Sequence, residues 1–180
     1  MIRAFKNHYP ALDETVFVDE TAVVIGQVVL GPHSSVFPMS VLRGDVNTIT
    51  IGAYTNIQDG VVIHVNHAGP FNGAGDPVVI GDYVTIGHQA MLHGCTLCGH
   101  NLIGAGAQVM DGAVIEEGAW VAAGSLVTPG TVVKSGMIWM GRPAQRYRAL
   151  TAKEQEKTHY SAQYYAQLAK AHAQPSAQAD

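Results

Sequence analysis

The sequence predicts an all-β solenoid, a parallel β-helix of about six coils with a C-terminal α-helix, and three observations carry that prediction. The first is a six-residue period of aliphatic residues. Val18, Val24, Leu30, Val36 and Leu42 begin it. It restarts at Ile51, Ile57 and Ile63, again at Ile80, Ile86 and Leu92, and runs from Leu97 through Ile103, Val109, Ile115, Val121 and Val127 to Val133. The second is a small residue at the fifth position of many hexads, as at Ala22, Ser34, Ser40, Thr55, Ala90, Ala107, Ala113, Ala119, Ser125 and Thr131. The third is composition: 20 glycines in 180 residues without a collagen period, and only 13% charged residues, which points to many tight turns and few solvated helices.

Each hexad supplies one short strand and one corner. The aliphatic side chain points into a triangular prism and the small residue fits the bend. Three hexads close a coil, so the eighteen hexads give six coils. A single coil cannot bury its apolar face, whereas stacked coils bury a continuous column. The period breaks three times: three extra residues between Leu42 and Ile51, eleven between Ile63 and Ile80, and one missing between Leu92 and Leu97. Insertions of this kind are where solenoids carry function.

After Val133 the pattern fades, and Gly141-Arg142-Pro143-Ala144 reads as a turn leaving the solenoid. Thr151 with Glu154 three residues on has the form of a capping box. The following stretch is helical in composition, with Tyr160, Tyr164, Tyr165 and Leu168 at helical spacing. The expected organisation is a β-helix over 1–147, a helix over 148–172 packed on it, and a disordered tail over 173–180.

Several function classes have no support. A net charge of −4 gives no electrostatic reason to bind nucleic acid or an anionic membrane. No apolar run approaches the roughly 20 residues that span a bilayer. The N-terminal MIRAFKNHYP has no signal-peptide core, so the expected location is the cytoplasm. Cys95 and Cys98 form one C-x-x-C, which supplies half of a structural zinc site, and are expected to be buried or half-buried thiols.

Three of the nine histidines stand out by coil count. His64 and His93 each follow a lead residue, three hexads apart, so they occupy one column on adjacent coils. Strands about 4.8 Å apart let two imidazoles share a metal ion. Arg43 stands in the same column one coil earlier. His88 is the third residue of its hexad and stacks instead with Asp59 in a second column, across a prism wall. In a symmetric trimer the second column of one prism can face the first column of its neighbour. That would assemble a three-histidine metal site at each interface and set Arg43 against Asp59. His8, His33, His100, His159 and His172 read as surface or turn residues.

Arg43-Gly44-Asp45, Asn56-Ile57-Gln58-Asp59, His64, Gly87-His88 and His93-Gly94 together resemble the γ-class carbonic anhydrases, over nearly the whole chain from about Val18. The resemblance implies a left-handed coil, against the usual right-handed crossover. It implies a homotrimer with three interfacial metal sites, with His64 and His93 from one subunit and His88 from the next. Arg43, Asp45 and Asp59 would knit the interface. Gln58 and Asn56 would orient the metal-bound solvent, and Tyr165 matches a tyrosine that the C-terminal helix brings near the site. The activity implied is reversible hydration of carbon dioxide to bicarbonate. It proceeds through a hydroxide on Zn2+, with Fe2+ or Co2+ also accepted by imidazole ligands. One departure stands out: the loop at 65–79 contains no Glu, and Val46 follows Asp45 where fast members carry an acid. His67 or Asp76 is left as proton relay, and slow turnover is expected. Two other readings stay open: a non-catalytic metal- or ligand-binding trimer or assembly subunit, and a CoA-dependent hexapeptide acyltransferase on the same solenoid.

Overall fold

The computed structural model describes residues 1–174; the expected disordered tail lies, from 175 on, outside the described residues. The chain forms a left-handed parallel β-helix followed by one helix, Ala152–His172. One face is a ladder in strict register. Phe17–Val18 pairs with Ser35–Val36, then Asn56–Ile57, Thr85–Ile86, Leu102–Ile103 and Trp120–Val121, each one coil on. The other two faces merge into one sheet, because Val23–Leu30 and Val41–Ile51 run as single strands through their shared corner. Backbone contact at that corner requires glycine: a Cβ on Gly26, at φ +78°, would lie 2.4 Å from the Gly44 carbonyl oxygen.

Every lead residue of the hexad series is buried except Val18, which is half-buried. Ala22, Ala90, Ala107, Ala113 and Ala119 fill the corners of the same core. The residue after each lead points outward, which follows from the two-residue side-chain alternation of a strand. Buried hydroxyls tie the coils together: Ser34 Oγ donates to the Gly52 carbonyl at 2.6 Å and Ser40 Oγ to the Gln58 carbonyl at 2.7 Å.

A second column runs along one corner on the outside. His33, Tyr54, Tyr83 and His100 sit there at φ between 50° and 58°. Their rings stack coil upon coil, with centroids 4.7, 5.0 and 5.1 Å apart.

The solenoid ends in an element that the hexad period does not encode. Met137–Gly141 continues the parallel ladder from Trp120–Val121, then turns back and pairs antiparallel with Ala144–Ala149. The return strand therefore extends past the expected boundary at 147. The helix begins after it, with the expected capping box: Thr151 Oγ1 accepts from the Glu154 backbone N–H, and the Glu154 carboxylate accepts from the Thr151 backbone N–H. The helix lies on the face built by Ser35–Val36, Asn56–Ile57 and Thr85–Ile86. Its buried side is Thr158, Ala162, Ala166 and Ala169, small residues that allow close approach. Tyr160 and Tyr164, which the spacing suggested as part of the helix pattern, remain 66% and 49% exposed. Trp120 Nε1 donates to Thr158 Oγ1 at 2.7 Å and fixes the helix along the prism. Among the described residues no helix is long and apolar enough to cross a membrane.

Candidate metal centre

The predicted columns assemble as two separate clusters on one chain. In the first, His93 is the register partner of His64, and His64 of Arg43. His64 Nδ1 and His93 Nε2 face each other at 3.1 Å. Each ring is held from behind by a carboxylate. His64 Nε2 donates to Asp45 Oδ1 at 2.9 Å, and His93 Nδ1 donates to Asp111 Oδ1. Arg43 holds the other oxygen of Asp45. Burial pushes the Asp45 carboxyl up, but hydrogen bonds from His64 and Arg43, with the charge of Arg43, outweigh it and leave it below the usual carboxylate range.

The second cluster lies on the helix-covered face and the corner beside it. His88 Nδ1 donates to Asp59 Oδ2 at 2.9 Å, and both side chains are about half exposed. Gln58 and Asn56 are buried beside them; Gln58 Nε2 donates to Asn56 Oδ1 at 3.2 Å, and Asn56 Nδ2 to Thr85 Oγ1 at 2.9 Å. Tyr165 arrives from the helix, edge-on to Phe37 with ring centroids 5.6 Å apart. Burial raises the Tyr165 phenol, the Asp59 carboxylate adds to the rise, and Gln58 acts against it by hydrogen bonding. Tyr165, Gln58, Asp59 and His88 thus form one neighbourhood, and His64 and His93 are not in it. Among the described residues no three His, Cys, Asp or Glu side chains of one chain converge as a ligand set.

His67 belongs to neither cluster. It is exposed on the inserted loop, which is closed by the Asn66–Asp76 backbone pair and by Asn66 Nδ2 donating to Asp76 Oδ2 at 3.2 Å. Of the two cysteines, Cys95 is buried but Cys98 is exposed, against expectation for the latter. Cys98 directly follows a lead residue and so points outward.

Asp111 is the residue the sequence reading missed. Its signal was the missing residue after Leu92. Leu92 pairs with Val109 and Leu97 with Ile115, so five positions on one coil face six on the next. The longer segment brings Asp111 up to His93.

The donor set fits a divalent metal ion. In a tetrahedral site with metal–nitrogen distances of about 2.0–2.1 Å, two imidazole nitrogens are separated by about 3.3 Å. The 3.1 Å between His64 Nδ1 and His93 Nε2 is close to that edge.

No protein-family model matches the chain. The protein YrdA of Escherichia coli is 43% identical over 165 residues, which is 92% of this chain and 90% of that one. The mitochondrial gamma carbonic anhydrase 3 of Arabidopsis thaliana is 50% identical over 168 residues, 93% of this chain and 65% of the plant protein. A carbonic anhydrase of Geobacillus kaustophilus is 39% identical over 151 residues, 84% of this chain and 79% of its own length. The chain belongs to the γ-class carbonic anhydrase family. The hexapeptide-repeat β-helix is also what solved structures share with this chain. A hexapeptide transferase family protein from Anaplasma phagocytophilum superposes with a TM-score of 0.88 at 42% identity, covering 95% of this chain and 97% of that one. In this γ-class chain His64 and His93 lie on one face and His88 on another, each with its own carboxylate partner.

Proposed function

We propose that the protein is a homotrimeric, zinc-dependent carbonic anhydrase that hydrates carbon dioxide reversibly at metal sites between subunits. The observation that carries this reading is the pair of imidazole nitrogens converging at 3.1 Å, with the third histidine on a different face of the prism. A two-histidine half-site cannot complete a three-histidine set within one chain. The outward face of the Asp59–His88 pair is what a neighbouring subunit has to offer. His64 and His93 of one subunit and His88 of the next then hold the ion. Zn2+ is the proposed occupant, and Fe2+ or Co2+ suit the same ligands.

When bound, the ion supplies Lewis acidity that makes water a nucleophile near neutral pH. The chain's own residues do the rest. The Gln58 carboxamide is buried with its Nε2 donating to Asn56, and its oxygen, which accepts no hydrogen bond among the described residues, is the group that takes a proton-bearing donor and fixes its orientation. Tyr165 lines the same wall from the helix, and the raised phenol stays protonated as a donor. Arg43, carried with Asp45, joins Asp59 across the interface. His67, on the inserted loop, exchanges protons with solvent.

A second reading, a non-catalytic metal-binding trimer, is favoured by the same loop: it has no Glu, and its Asp76 is engaged by Asn66.

The test is elemental mass spectrometry on anaerobically purified protein beside His88→Ala. One metal per subunit in the parent and little in the variant is the expected result. Metal-free parent protein would overturn the reading. A hydration assay with added imidazole buffer as proton carrier separates the catalyst from the non-catalytic trimer.

A further inference from the structure

We propose that Asp111 is a positioning residue that sets the tautomer of His93 and so builds half of a metal site into each chain before any partner arrives. The inference rests on the metal-site reading for its purpose, but its geometry stands alone.

A carboxylate only accepts hydrogen bonds, and a neutral imidazole has one donor and one acceptor nitrogen. The bond to Asp111 therefore puts the His93 proton on Nδ1 and leaves a lone pair on Nε2. Asp45 does the same for His64 from the other side, leaving the lone pair on Nδ1. With both rings neutral, the two nitrogens that face each other at 3.1 Å are thus both acceptors. Two opposed lone pairs at that distance repel unless a cation lies between them. The two carboxylates hold the rings in this arrangement.

The local backbone is arranged to let Asp111 do this. Asp111 makes no other side-chain hydrogen bond among the described residues. A Cβ on Gly94, at φ +52°, would stand 2.4 Å from Asp111 Oδ1 and 2.7 Å from the Asp76 Cβ. The glycine after His93 thus leaves room for the carboxylate, and the short hexad brings the carboxylate within reach.

The test uses the full chain, ¹⁵N-labelled at histidine and stripped with a chelator, with long-range ¹H–¹⁵N spectra reading the tautomer of each ring at mildly alkaline pH. The expected parent signal for His93 is Nδ1–H. Asp111→Ala should convert it largely to Nε2–H, the form imidazole favours when unconstrained, and leave His64 unchanged. Asp111→Asn keeps an acceptor oxygen and should retain the parent tautomer. Zn2+ affinity by chelator competition should fall about 10–100-fold in Asp111→Ala, with Asp111→Asn nearer the parent. Gly94→Ala, which leaves the carboxylate in the chain but moves it, should reproduce the tautomer change. An unchanged His93 tautomer in Asp111→Ala would overturn the proposal. A parent with the Nδ1–H tautomer, lost in Asp111→Ala, but with no Zn2+ affinity would uphold the positioning role and overturn the metal reading instead.

Discussion

Cys95 and Cys98 are three residues apart and behave as opposites. Cys95 is fully enclosed in the core, and burial, with the charge of Asp111 adding to it, pushes its thiol up to about 12. Cys98 is exposed on the outside of the coil, with its thiol raised less, first by partial burial and then by Glu116 and Glu117. A thiol reagent should therefore label one cysteine in the native protein and both after unfolding, as counted by intact mass. Both thiols were expected to be buried or half-buried, and the hexad pattern holds the reason that Cys98 is not: it follows the lead residue Leu97 and Cys95 does not. The lead positions themselves were the most legible residues of all. Ile86, in the middle of the stack, has no exposure, and truncation to Ala removes methylenes that neighbouring coils cannot move in to replace. Ile86→Ala should cost about 2–5 kcal/mol in denaturant unfolding.

At the scale of elements, the helix shows which sequence signals are local and which depend on packing. Its start was legible because a capping box is a contact between residues three apart. Its docking face was not, because closeness rather than apolar area decided it, and the alanines won over the tyrosines. The cap also carries a pH dependence. The Arg148 guanidinium is the main cause holding the Glu154 carboxyl down to about 2 from an ordinary 4.5, with the Thr151 backbone N–H assisting. A group whose pKa is lower in the folded chain contributes stability that is complete above 4.5 and is lost as the pH falls through about 2. Acidification across that window should loosen the first turn of the helix, seen as a change in Trp120 fluorescence through its bond to Thr158. Glu154→Gln should remove most of that acid response. Salt should weaken the Arg148 part of it, since the pair is at the surface. The antiparallel strand Ala144–Ala149 was not legible, because its pairing follows a turn after the hexads have stopped and no aliphatic period marks it.

For the molecule as a whole, coil counting alone put His64 with His93 and His88 with Asp59, because a solenoid converts sequence separation directly into position. The same counting missed Asp111, where a single missing residue shifts the register locally. The proposed trimer needs His64 and His93 on one face and His88 on another, as they are found. Arg43→Ala should therefore weaken association, measured as a lower oligomer mass in dilute solution by sedimentation; an unchanged trimer would exclude the Arg43–Asp59 contact. The antiparallel return strand has a further consequence. Parallel strands stacked about 4.8 Å apart share the lattice of a cross-β filament, and any open end of such a stack is a growth surface. At the C-terminal end of the helix-bearing face, the chain reverses and offers an outward strand of opposite polarity bearing exposed Arg146 and Arg148. An incoming copy arriving in parallel register finds no template there. The hairpin thus closes that one face with a charged edge of reversed polarity, while the larger sheet ends in the parallel strands Leu126–Val127 and Val132–Val133.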